Sequence, residues 1–397
     1  MRYPVRWHRI EAQPGHYDWS TSDRALGVLR DEGLVPIVDL VHHTSYPLWL
    51  SGGFADPRFG EAYLRFCDAF AERYPWVTEY TLFNEPFATL FLAGHEAIWP
   101  PYGRGVEGFV ALVRNVVPAV LEASRRLRER VPGARHVYVD TCEGHTASDP
   151  SGETYARLAN DRRFFVLDLL LGRARDRERP FLAEVAAAGG EDLLELEPGH
   201  LDVLGLDYYA HSEWSFRSAD GTVEGRTPSE CPVGLGALIT EYAERYPGLP
   251  LVLSETNIRG TPSDRATWLK HTLEQCERAQ AAGAPLDAYC WFPSVDSLDW
   301  NSLLARADGC IDPVGVFWLD ADLERRPSSM SRVFARVANG ATSAELPAYR
   351  FSPPVAGWVS ALLPLMDHFD WRDAPAEEAD MDAERIVRAT NRLERAA

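Results

Sequence analysis

Short apolar runs alternate along this chain with longer stretches whose apolar positions recur every three or four residues. The runs predict strands near 3–7, 35–41, 77–83, 136–141, 201–207, 251–255 and 286–292. Between them the spacing predicts helices. Ser20 to Gly33 forms the first, and Phe59 to Pro75 puts Tyr63, Phe66, Cys67 and Phe70 on one face. Gly105 to Arg130 repeats the stripe with Phe109, Leu112, Val113, Val116 and Val120, and Pro118 is expected to kink it. Ser263 to Ala282 completes the set. Strands alternating with helices imply βαβ units and a parallel sheet. A closed (β/α)8 barrel needs one strand more than the seven found. The remaining strand would lie upstream of Met1, or come from the tail, or the barrel is open.

The rhythm changes near residue 340. Pro347 to Asp373 is rich in Pro and aromatics and holds one apolar helix candidate, Val355 to Met366. Ala374 to Ala397 is charged and helix-prone. The reading is therefore a catalytic barrel over 1–340 and a C-terminal extension over 341–397, packed on the barrel and ending in a charged helix.

Composition narrows the class. The 397 residues are 46% hydrophobic and 25% charged, as in ordinary globular proteins. A formal charge of −19 without a basic stripe argues against nucleic acid as a partner. No run reaches a membrane span, and the N-terminus lacks the apolar core of a signal peptide. None of the six cysteines forms a CxxC pair, and buried reduced thiols are expected. A reducing, cytoplasmic location follows as the default. Nothing in the sequence bears on oligomeric state.

Two segments carry the chemistry: Thr81-Leu82-Phe83-Asn84-Glu85-Pro86 and Leu251-Val252-Leu253-Ser254-Glu255-Thr256-Asn257. Each is an apolar run closing in a carboxylate, at the strand end where barrel enzymes place their catalysts. Alone, Glu85 reads better as a loop residue or helix cap, and Glu255 as a strand-end carboxylate stabilising the turn that follows. Their occurrence together, three strands apart, suits a glycosidic acid and nucleophile. A third segment, Tyr289 to Trp300, mixes aromatics with Asp296 and Asp299, a combination that suits a sugar. Asp39, Glu79, Asp140 and Glu143 read mainly as salt bridges or caps, and His211 and Trp214 as loop residues that could line an entrance. His42 and His43, adjacent along a strand, would face opposite ways, which disfavours a metal site.

The ordered motifs resemble those of family 1 glycoside hydrolases, (β/α)8 retaining glycosidases of the β-glucosidase type. Arg2 to Ile10 is similar to the family's RFSxSWxRI, Gly33 to His42 to GIEPxVTLYH, and Pro47-Leu48-Trp49-Leu50 to PxWL. Asn84-Glu85-Pro86 matches the acid/base motif, and Asp161 to Asp168 resembles the RWFLDP region. Gly205 to Tyr209 is similar to GxNYY, Ser254 to Asn257 to the nucleophile motif TENG, and Gly283 to Trp300 to GVPVxGYFxWSLLDNFEW. The order holds over about residues 2 to 335.

The resemblance implies Glu85 as general acid/base and Glu255 as nucleophile, with carboxyls ~5–5.5 Å apart and no metal or cofactor. Arg2 and Tyr209 would support the nucleophile. Asn84, His42, Asp207, Trp291, Phe292, Asp299 and Trp300 would meet the substrate, a small glycoside. Several positions depart from the family. The first strand, with its sugar-binding Gln, falls before Met1. Asp207 stands for an Asn, His43 for a Trp, Asp299 for a Glu, and Phe292 for the platform Trp. Retaining hydrolysis of a β-O-glycosidic bond is expected. A weak or non-catalytic sugar binder, and a transglycosidase using the same covalent intermediate, remain alternatives.

Overall fold

The computed structural model describes residues 1–307, 309–320 and 323–351. The helix candidates at 355–366 and 374–397 lie outside the described residues. The strands in chain order are β1 (Arg2–Pro4), β2 (Ile37–Asp39), β3 (Glu79–Thr81), β4 (Arg135–Thr141), β5 (Gly144–Ala147), β6 (Val203–Asp207), β7 (Glu213–Ala219), β8 (Thr222–Arg226), β9 (Leu251–Glu255) and β10 (Leu286–Tyr289). Seven of them form one sheet in the order β1-β2-β3-β4-β6-β9-β10. The registers Arg2↔Ile37, Ile37↔Glu79 and Leu286↔Leu251 are parallel. Helices separate the strands, giving a TIM-barrel-like α/β fold.

Every predicted strand exists, several of them trimmed. β2 covers only 37–39 of the expected 35–41 because the chain leaves the ladder while its backbone stays bonded. Leu40 N donates to Thr81 O at 2.9 Å, and Asn84 N to Val41 O at 2.8 Å. The helices fall at Ser20–Asp31, Phe59–Arg73, Gly105–Arg130 and Pro262–Ala281. Gly105–Arg130 is one helix with Pro118 inside it.

The chain divides into two compact units, Met1–Thr141 with Leu158–Gly205, and Cys142–Arg157 with the chain from Leu206 onward. In the first, Trp7 is fully buried and stacks on Phe66, centroids 5.2 Å apart, with Phe59 edge-on at 5.9 Å. Its indole donates to Glu11 at 2.7 Å. The stripes expected on Phe59–Arg73 and Gly105–Arg130 are all buried. The helix Pro86–Gly94 lies tight against Gly105–Arg130: a Cβ on Gly108 would meet Gly94 O at 2.2 Å.

The second unit adds a feature absent from the sequence reading, a small sheet ordered β5-β7-β8. β8 is exposed throughout, so it carried no apolar run to find. The helix Pro262–Ala281 opens on a capping box in which Thr261 and Asp264 satisfy each other's backbone N–H. Ser343, Leu346 and Tyr349 are hydrogen-bonded to this helix. Lys270 Nζ donates to Ser343 O at 2.6 Å and Leu346 O at 3.0 Å, and Thr267 Oγ1 to Tyr349 O at 2.9 Å. All six cysteines are free thiols, and Cys67, Cys142 and Cys276 are buried. Among the described residues no helix is long and apolar enough to cross a membrane.

Candidate active site

Glu85 sits where β3 gives way to the helix Pro86–Gly94. Pro86 opens that helix, its ring presetting the backbone and its missing N–H costing nothing there. Glu85 itself is left-handed, φ 42° and ψ 61°, and only 7% exposed. Its side chain does not cap the helix. Asp140, on neighbouring β4, does: Phe87 N donates to Oδ2 at 2.8 Å and Ala88 N to Oδ1 at 3.3 Å. Tyr138 Oη and Thr141 N also donate to Asp140, at 2.5 and 3.0 Å. Because the cap comes from another strand, the reading of Glu85 as a capping residue falls away. Burial pushes the Asp140 carboxyl up to about 7, against these donors.

Around Asn84 a closed set of contacts forms. Arg2 Nη2 donates to Asn84 Oδ1 at 2.5 Å and lies 3.8 Å from Asp39. Asn84 Nδ2 faces His43 Nε2 at 3.4 Å, and His43 Nδ1 meets Thr89 Oγ1 at 3.0 Å. Thr89 Oγ1 donates back to Asn84 O at 3.2 Å. His42 Nδ1 contacts Asp39 Oδ2 at 2.7 Å. The expectation that His42 and His43 face opposite ways is corrected here. β2 ends at Asp39, His43 has φ 48°, and the strand alternation no longer applies. The two rings meet edge to face, centroids 4.5 Å apart.

In the second unit Glu255 ends β9 and is 4% exposed. Tyr209 Oη donates to Glu255 Oε2 at 2.6 Å, and Tyr208 N to Glu255 O at 2.9 Å. The His211 ring stacks on Tyr209 at 5.0 Å. Ser254 Oγ donates to Asp207 Oδ1 at 2.5 Å. Oxygens of Asp207 and Glu255 approach within 4.8 Å, a spacing a cation could bridge, though each carboxylate already accepts a hydroxyl proton. Behind them Glu213 is buried, accepting from Tyr208 Oη at 2.9 Å and from Val233 N and Gly234 N.

Beyond Glu255, Asn257 Nδ2 donates to Phe292 O at 2.7 Å, and Phe292 N to Thr256 O at 3.2 Å. Trp291 is 5% exposed and its indole donates to Val314 O. Asp299 is left-handed, φ 64°, and its Oδ1 accepts from Cys310 N at 2.9 Å. Trp300 begins a short 3-10 turn and is half-buried.

Sequence reasoning undervalued Asp140, His43, Thr89 and Glu213. Asp140 and Glu213 are single carboxylates that accept largely from backbone N–H groups, which no spacing announces. Asp39, Glu79 and Glu143 do form the expected pairs, with His42, Arg135 and His145.

No family model matches the chain. The thermostable β-glucosidase B of Thermobispora bispora is 27% identical over 344 residues, covering 75% of this chain and 69% of that protein. β-Glucosidase A of Thermotoga maritima is 20% identical over 360 residues, covering 82% and 78%. The solved family 1 β-glucosidase of Thermotoga maritima superposes with a TM-score of 0.69 at 18% identity, covering 85% of this chain and 82% of its own. The chain is β-glucosidase-like. That enzyme's fold has also been solved in complex with deoxynojirimycin, with a TM-score of 0.70 to the present chain. The β-glucosidase-like chain thus matches these proteins across most of its length.

Proposed function

We propose that the chain is a retaining β-glycosidase acting on a small β-glucoside, with Glu85 as general acid/base and Glu255 as nucleophile. One observation carries the reading: each glutamate is buried on the C-terminal side of a parallel strand, Glu85 in the turn that follows β3 and Glu255 as the last residue of β9. Glu255 attacks the anomeric carbon as Glu85 gives its proton to the departing glycosidic oxygen. Water, activated by the deprotonated Glu85, then releases the sugar from Glu255. Arg2 and Tyr209 are read as nucleophile supports. Asn84, His42, Asp207, Trp291, Phe292, Asp299 and Trp300 are read as the sugar-binding shell. The six free thiols suit a reducing compartment such as the cytoplasm.

An aryl β-glucoside tests the proposal. Turnover with retention at the anomeric carbon is expected, and Glu255→Gln should abolish it. Unchanged turnover in that variant overturns the nucleophile assignment. Binding of glucose analogues without turnover of any glycoside would replace catalysis by sugar binding.

A further inference from the structure

Asp39 is the last residue of β2 and is 1% exposed. In the ladder it lies between Pro4 of β1 and Thr81 of β3, on the sheet face that also carries Arg2. Val38 and Tyr80 point the other way, and Tyr80 meets Phe70 of the helix Phe59–Arg73 edge-on at 6.2 Å. Asp39 therefore faces away from that helix. Its carboxylate is thinly supported there. Oδ2 contacts His42 Nδ1 at 2.7 Å, and Arg2 stands 3.8 Å away. Oδ1 is buried and has no hydrogen-bond partner among the described residues, and neither has Thr81 Oγ1 beside it in the ladder. A buried charge held by so few donors costs the fold free energy, so stability gives no reason for an acid at this position.

We propose that Asp39 is a positioning residue for His42, fixing which ring nitrogen meets the sugar. This rests on the glycosidase reading above, in which His42 belongs to the sugar-binding shell. A carboxylate only accepts, so the 2.7 Å contact puts a proton on His42 Nδ1. The hydrogen bond made by one ring nitrogen sets the state of the other. In the neutral ring Nε2 then holds the lone pair, and His42 takes a hydrogen bond from a sugar hydroxyl rather than giving one. The backbone of His42 is held separately. His42 N donates to Ser45 Oγ at 3.0 Å and Ser45 N to His42 O at 3.2 Å, while Ser45 O accepts from His8 N at 3.1 Å. That turn fixes where the ring is rooted, and Asp39 fixes its rotation and tautomer, as a carboxylate behind a working histidine does.

The test compares wild type, Asp39→Val and Asp39→Asn on phenyl β-glucoside and its monodeoxy analogues. Asp39→Val removes the acceptor and should lower kcat/KM on the parent substrate by about tenfold or more. It should melt no lower than wild type, because it also removes a buried charge. Asp39→Asn keeps an oxygen that can accept from Nδ1 and should fall between the two. On the analogue lacking the hydroxyl that His42 meets, the ratio of wild type to Asp39→Val should shrink towards one. A lower melting temperature with the same ratio on every analogue would overturn the proposal. Nitrogen NMR of His42 at about pH 8 gives an arm independent of turnover: the neutral ring should be Nδ1–H in wild type and shift towards Nε2–H in Asp39→Val. Nε2–H in wild type, or one tautomer in both proteins, rules the proposal out even if the chain hydrolyses no glycoside. A wild type that keeps Nδ1–H yet turns over no glycoside overturns the glycosidase reading instead.

Discussion

Tyr209 Oη donates a 2.6 Å hydrogen bond to Glu255 Oε2, and the same residue stacks on His211. The bond holds one oxygen of the proposed nucleophile in place. Hydrogen bonds to charged groups contribute about 1.5–3 kcal/mol, so Tyr209→Phe should cost kcat roughly 10- to 100-fold. Steady-state kinetics on an aryl β-glucoside checks this. An unchanged kcat would remove Tyr209 from the site.

Asp140 should make stability fall with rising pH. Its folded pKa, about 7, lies above the unfolded carboxylate value, so the unfolded chain ionises first as pH rises from about 4. The stabilisation is complete at acid pH and is lost as pH approaches 7. Asp140→Asn should flatten that slope in melting curves relative to wild type. It should also weaken the cap at Phe87 and Ala88, lowering activity by displacing Glu85.

Arg265 and Asp296 form a buried pair, 1% and 3% exposed, at 2.8 Å. Arg265 also donates to Gly315 O at 2.5 Å, and Asp296 accepts from Gly315 N and Leu319 N. Arg265→Ala strands a buried carboxylate and should cost about 3–5 kcal/mol in denaturant unfolding. Replacing both partners by apolar residues of similar volume should recover most of that loss.

Lys270, the one lysine of the chain, holds the carbonyls of Ser343 and Leu346. Lys270→Met should loosen 341–351 from its helix while sparing the sheet. Limited chymotrypsin digestion should then cut sooner at Tyr349 or Phe351, with glycosidase activity kept.

The sequence made most of the sheet legible because its strands are buried and therefore apolar; β6 is buried at all five positions. The long amphipathic helices declared themselves for the same reason. What stayed hidden depended on groups without a pattern. β8 has no buried residue, and β5 is four residues long. His43 read as a strand residue because Val38, Leu40 and Val41 are apolar, but the ladder ends at Asp39, His43 has a positive φ, and its ring meets Thr89. In the candidate site, Glu85 and Glu255 were visible as strand ends. Asp140 was not visible as the cap of the helix after Glu85, since the N–H groups that donate to it lie more than fifty positions away.

The left-handed backbone of Glu85 sets a limit on engineering this chain. An L-residue in that conformation carries about 1–2 kcal/mol of strain. The usual remedy is glycine, the one substitution that relaxes the turn and also deletes the carboxylate. A stabilised variant must therefore draw its gain from elsewhere, and any selection for hardiness alone will tend to sacrifice this position first.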